Sequence, residues 1–173
     1  MDDPRLPLEH PANAGILRYL RSVDRATDGV AADPQRESCS PAAVPEPHLR
    51  LGSHPDVISQ FWGAIGDKLP ESCAWVVYNM PVLAHPHTGV IFGYSLGMKY
   101  VLRLPPPVFQ VALRTGLKRV IHFRGTPSSG QPPWTLDLGR IGPDWCFGAY
   151  RAEEAGWCLA AFDAAAEGWS TQA

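Results

Sequence analysis

The chain has 173 residues, enough for one domain with an appendage, and 45% of them are hydrophobic, enough for a sizeable core. Its 15 basic and 17 acidic side chains leave a formal charge of −2. That excludes a globally basic nucleic-acid binder and an acidic disordered tail, and leaves room for a local basic patch.

The 18 prolines and 16 glycines exceed the average combined share of roughly 12%, yet fall short of the roughly 25–30% of a disordered chain. They mark long connections between ordered elements. No apolar run is long enough for a membrane span. Met1-Asp2-Asp3-Pro4-Arg5 opens acidic and without an apolar stretch, unlike a secretory leader. Cys39, Cys73, Cys146 and Cys158 lie far apart with no CxxC pair, so reduced thiols in a cytoplasmic protein are expected.

Residues 12–25 read as a helix. Ile16, Leu20 and Val23 recur at helical spacing, Leu17 and Tyr19 widen the apolar face, and Asn13 is placed to cap the start. Arg18, Arg21 and Arg25 share a second stripe, which suits a solvated face better than an anion contact. Residues 26–52 lose periodicity, broken by Pro34, Pro41, Pro45 and Pro47, and read as a linker. The expected organisation is an N-terminal helical arm (1–29), a Pro-rich linker (30–52) and a compact domain (53–173). The arm either packs back on the core or docks elsewhere.

Ser53-His54-Pro55-Asp56 has the form of a capping box, followed by Val57, Phe61 and Ile65 on one helical face, with Ile58, Trp62 and Leu69 beside it. Leu69-Pro70 ends that helix. Cys73–Tyr78 reads as a strand, Val82–Ala84 as a short continuation after a break at Pro81, and His85–Gly89 as a turn. Val90–Tyr94 and Met98–Leu104 form a hairpin. In its second strand Tyr100, Leu102 and Leu104 alternate with Lys99, Val101 and Arg103, so one face is buried and the other carries two cations.

A Pro-initiated helix follows, with Val108, Val111 and Ala112 as its apolar face and Gly116 as its terminator. Lys118–Phe123 is a strand, Arg124–Pro133 a Gly/Ser/Pro loop, Trp134–Leu138 a short strand and 139–148 irregular. Ala152–Glu167 is the closing helix, with Trp157, Ala161 and Phe162 along one side. This order predicts an α+β fold: a mainly antiparallel sheet covered by helices on one face, with the N-terminal helical arm added.

Tyr78-x-x-Pro81-Val82, the strand Gly89-Val90-Ile91-Phe92, the run Met98–Pro105, the Pro-initiated helix and the strand Trp134-Thr135-Leu136-Asp137-Leu138 before a closing helix carry a resemblance. Over residues 54–167 the element order resembles the small α+β domains of the MmcQ/YjbR and TfoX N-terminal type. The Arg124–Pro133 loop and the arm depart from that pattern. The resemblance implies the fold and a role in binding nucleic acid or protein. It transfers no catalytic residue.

Several motifs contain residue types that can carry chemistry. His85-x-His87 has metal-like spacing but lacks a third local ligand, His122, Cys73 or Asp137 being too remote to assume. Cys146 with His122 would be a nucleophile pair only if the thiol were activated, and its aromatic neighbours Trp145 and Phe147 suit an inert thiol better. Asp137 and Asp144 have no evident pocket, and Ser128-Ser129-Gly130 lacks the sequel of a phosphate loop. No catalytic residue, metal or cofactor is therefore expected.

The strongest signal is cationic. Lys99, Arg103, Arg114, Lys118, Arg119 and Arg124 fall between positions 99 and 124, where there is no Asp or Glu, with Tyr100 and Phe123 among them. Trp134 sits at a loop margin. Lys99, Tyr100, Arg103, Lys118, Arg119, Phe123, Arg124 and Trp134 are the candidate binding residues. They suit an acidic protein surface, as in an immunity or adaptor protein, with nucleic acid as the alternative. A small hydrolase or transferase using Cys146, His122 or Asp137 is the third reading. Glu153, Glu154, Asp163 and Glu167 are the acids available to neutralise the cluster in space.

Overall fold

The computed structural model describes residues 5–28, 40–41, 54–78, 80–120, 123–125, 134–136 and 141–169. Helix α1 spans Ala14–Asp28 after a 3-10 turn at Pro11–Asn13. The cap is His10, whose Nδ1 accepts from the Ala12 amide at 3.1 Å, not the expected Asn13. Asn13 is instead fully buried. Its Nδ2 donates to the carbonyls of Leu8 (3.1 Å) and Gly89 (2.8 Å), and its Oδ1 accepts from the Ile91 amide at 2.9 Å.

Helix α2 begins at Pro55–Ile58, continues as a π-helix over Ser59–Ile65 and ends in a 3-10 turn at Gly66–Lys68. His54 caps it through Nδ1, which accepts from the Asp56 amide; Ser53 of the expected capping box lies outside the described residues. Val57, Phe61 and Ile65 are buried as their spacing predicts.

The sheet contains β1 (Ser40–Pro41), β2 (Ala74–Val77), β3 (Met80–Ala84), β4 (Ile91–Leu96), β5 (Lys99–Arg103) and, after β6 (Phe123–Gly125) and β7 (Trp134–Leu136), β8 (Trp145–Phe147). Its order is β1-β2-β3-β4-β5-β8, every pairing antiparallel, while β6 and β7 form a separate two-stranded ribbon. The remaining helices are α3 (Pro106–Arg114) and α4 (Glu154–Ala166). The fold is α+β.

Four local expectations are corrected. Pro81 does not interrupt a strand: it sits inside β3 opposite Val76, and the chain reverses at Tyr78, which has φ 48°. The stretch 139–148 is not wholly irregular, because it contains β8. Of the strand expected at Lys118–Phe123, residues 118–120 carry a bridge, Arg119 opposite Cys146, and Phe123 belongs to β6; 121–122 lie outside the described residues. Ser40 and Pro41, in the stretch read as linker, add a two-residue edge to β2.

The two faces of the sheet carry two cores. Tyr100, Leu102, Leu104, Phe92 and Leu83 pack against α2, α3 and α4. Trp75, Val77, Val82, Tyr94, Val101 and Trp145 pack against Leu6, Leu8 and the Ile16, Leu17, Tyr19 and Leu20 face of α1. The N-terminal helix thus takes the first of its two expected fates and folds back on the core. Burying Ile16 or Leu20 there contributes about 1.5–3 kcal/mol each. It also explains why the second face of β5 is not solvated: Val101 and Arg103 are buried, and Lys99 alone among the three is exposed.

Candidate functional site

Lys99 and Arg103 lie on β5, and Lys118 and Arg119 lie on the segment 118–120; the two run on either side of β8. In the β5–β8 register Val101 faces Phe147 and Arg103 faces Trp145. Residues 118–120 then pair with β8 through the Val120 amide to the Trp145 carbonyl (3.0 Å) and the Phe147 amide to the Lys118 carbonyl (2.9 Å). Opposed residues of antiparallel strands share a face. One face therefore carries the rows Val101–Phe147–Lys118 and Arg103–Trp145–Val120, with Lys99 at the end of β5. The other carries Leu102–Cys146–Arg119.

The expected cluster is split by this register. Lys99 and Lys118 are exposed on either side of half-buried Phe147, and the Lys99 ammonium stands 5.7 Å from that ring's centroid. Arg119 is exposed on the opposite face, its guanidinium 4.8 Å from the Phe109 ring centroid. Arg103 belongs to the first face but is buried. Tyr100 is withdrawn from any surface: its hydroxyl donates to the buried Glu154 carboxylate and accepts from the Tyr150 amide. Burial and the Glu154 contact push its pKa up. Phe123, Arg124 and Trp134 are placed as backbone only, Arg124 opposite Thr135 and Trp134 opposite Gly125; their side chains lie outside the described ones.

The acids that might have neutralised the cluster do not. Glu154 is turned into the core, and among the described residues Lys99, Arg103, Arg114, Lys118 and Arg119 make no ion pair. Phe147 was missed at the level of sequence. Its only signal was the alternation Trp145-Cys146-Phe147, hidden between Pro143 and Gly148.

The other motifs resolve into structure. Cys73 and Cys146 are buried, and burial pushes each thiol up to about 12; burial also raises the Cys158 thiol. These thiols are not activated. His122 and Asp137 lie outside the described residues. Among the described residues no group of three or more His, Cys, Asp and Glu could hold a metal ion. An open groove of about 480 Å³ beside the π-helix is lined by Asp56, Ser59, Gln60, Gly63, Ala64 and Tyr150, with one carboxylate and no base opposite it.

His85 and His87 build a turn. His85 Nδ1 accepts from the amides of His87 and Thr88, both at 3.3 Å, and its ring lies 4.7 Å from the Phe162 ring. His87 pairs with Glu71 at 2.8 Å. Burial lowers the His85 pKa, with Glu71 opposing and His87 adding to the shift. The unfolded chain therefore binds this proton more readily than the folded one. The stability His85 supplies is complete above its unfolded pKa, about 6.5, and is lost as pH falls below it. In His85→Asn, whose amide oxygen keeps an acceptor, the stability-versus-pH slope below about 6.5 should flatten relative to wild type in urea melts. An unchanged slope would assign the acid sensitivity elsewhere.

Among the described residues no helix is long and apolar enough to cross a membrane. In comparison with known proteins, the chain matches no family model, no curated protein and no solved structure.

Proposed function

We propose that the chain is a non-enzymatic, cytoplasmic binding module that receives an acidic surface of a protein partner on the β5–β8 edge, in the manner of an immunity or adaptor protein. The observation that carries this reading is the set of exposed cations, Lys99 and Lys118 flanking Phe147, without a single ion pair among the described residues. A half-buried ring between two cations offers an apolar anchor within an electropositive rim, the layout of a protein interface. The resemblance to MmcQ/YjbR and TfoX N-terminal domains implies binding of nucleic acid or protein, and so is compatible with this reading and with its alternative.

The test is a charge reversal. Lys99→Glu with Lys118→Glu changes exposed side chains only, so folding should stay within about 0.5 kcal/mol of wild type. A partner retained by the wild-type chain at low salt, then purified, should bind the double variant about 10–100-fold more weakly, with a reduced salt dependence. Equal affinity for both would remove this edge from the interface. Retention of nucleic acid instead, released by salt, would replace the protein partner by the alternative reading.

A further inference from the structure

Arg103 and Trp145 sit directly opposite each other on β5 and β8 and share a face of the sheet. They are 6% and 1% exposed. Each ends in a buried N–H group without an acceptor: Nε of Arg103 and Nε1 of Trp145. Buried donors in folded proteins are satisfied as a rule, and each exception needs a physical account. Here two exceptions fall on one pair of neighbours.

The guanidinium is held rigidly. Its centre stands 4.4 Å from the Trp169 ring centroid and 5.9 Å from that of Trp145, and Nη1 donates to the Ala12 carbonyl at 3.1 Å. That leaves the Nε–Nη2 edge, the edge that meets a carboxylate or phosphate in two parallel hydrogen bonds. Burial pushes the Arg103 pKa down to about 10, so the group is still a cation at neutral pH. A buried cation without a counter-charge in contact is strongly unfavourable.

Among the described residues little answers it. Asp144 precedes Trp145 and is close enough to favour the Arg103 charge, but it makes neither a hydrogen bond nor an ion pair with it. The first turn of α1, which follows the Ala12 contact, contains no acid. Arg119 also acts on Asp144, adding a second positive group to the neighbourhood. The two unpartnered buried atoms of this pair, Arg103 Nε and Trp145 Nε1, are both donors, so the missing partner is an acceptor. Sugar hydroxyls and amines would bring donors of their own.

We infer that Arg103 and Trp145 form a binding site for an oxyanion, either a carboxylate or a phosphate group, held by the Nε–Nη2 edge of the guanidinium and the indole N–H. This site is independent of the partner reading, because it is formed by buried side chains and needs no macromolecule.

The experiment uses the full chain with inorganic phosphate and acetate as probes, ionic strength being held constant with chloride. Melting temperature and tryptophan fluorescence are followed together. Phosphate, acetate or both should raise the Tm with the logarithmic dependence of a ligand that binds only the folded state. A response to phosphate alone identifies a tetrahedral ligand, and one to acetate alone a carboxylate. Arg103→Lys and Trp145→Phe should each weaken the response about 10-fold or more, the usual cost of a lost charge-assisted or buried hydrogen bond. Asp144→Asn should tighten it by removing a competing negative charge. If Arg103→Lys does not fold, Trp145→Phe, which keeps a packed ring and deletes the N–H, decides alone. A Tm that follows ionic strength only, identical in chloride and in both probes, overturns the site. So does an Asp144→Asn variant as destabilised in chloride as Arg103→Lys, which would make the aspartate the true partner.

Discussion

Replacing Gly89 by alanine should lower the stability of the chain by about 2–5 kcal/mol, read as a shift of the urea midpoint at constant slope. Two independent costs add. Gly89 has φ +70°, where an L-residue with a Cβ loses roughly 1–2 kcal/mol. A Cβ there would also stand 1.8 Å from the Pro7 carbonyl oxygen, a backbone atom that no rotamer change can move aside. Displacing Pro7 pulls on the neighbouring anchor, since the Gly89 carbonyl accepts from Asn13 and Asn13 also bridges to Leu8 and Ile91. The N-terminal segment should then become the first site of proteolytic cleavage. Gly156→Ala is the matched control. It lies in α4 with nothing within 4 Å of the added methyl, so it should stabilise by about 0.5–1 kcal/mol. Equal effects at the two glycines would mean that Pro7 is not packed as described.

The sequence made the amphipathic elements legible because their signal is local. Val57, Phe61 and Ile65, or Tyr100, Leu102 and Leu104, announce a buried face by spacing alone, and each is buried. What spacing cannot show is which surface covers the opposite face. Val101 and Arg103 looked solvated because nothing in positions 99–104 encodes the arrival of α1 from far earlier in the chain. The cationic cluster was hidden in the same way. Lys99, Lys118 and Arg119 are one cluster along the chain, but the bridge of Arg119 to Cys146 sends it to the far face from Lys118. A shift of one residue exchanges every side chain between faces, and no composition reveals that register. β8 is three residues long, too short for alternation to rise above its flanking Pro143 and Gly148. Asn13 was read as a cap because that is the common role of asparagine before a helix. Its two bonds to Gly89 and Ile91, far along the chain, are a tertiary use of the same chemistry.

Glu154 should be among the most costly side chains to remove. It is fully buried at the start of α4, and its carboxylate takes two donors: the Tyr100 hydroxyl and, at 2.6 Å, the Ala149 amide. The Tyr100 oxygen in turn accepts from the Tyr150 amide at 3.0 Å. This chain of bonds ties the turn after β8 to the middle of β5 and sets the direction in which α4 leaves the sheet. Gly148 leaves the room for it, since a Cβ there would fall 1.8 Å from the Tyr100 ring. Glu154→Ala strands the buried Tyr100 hydroxyl, takes the acceptor from the partly buried Ala149 amide and opens a cavity; the stranded hydroxyl costs about 1–3 kcal/mol and the cavity adds to it, so a total loss of about 3–5 kcal/mol is expected. Glu154→Gln keeps the volume and one acceptor but turns an amide N–H₂ toward one of the two donors, so about 1–3 kcal/mol is expected. Tyr100→Phe removes one donor cleanly and should cost less in the Glu154→Gln background than in wild type, because the two share one network. Urea melts of the four proteins form a double-mutant cycle. A coupling near zero would mean that Glu154 stabilises through the Ala149 amide alone, and that Tyr100 contributes its ring and not its hydroxyl.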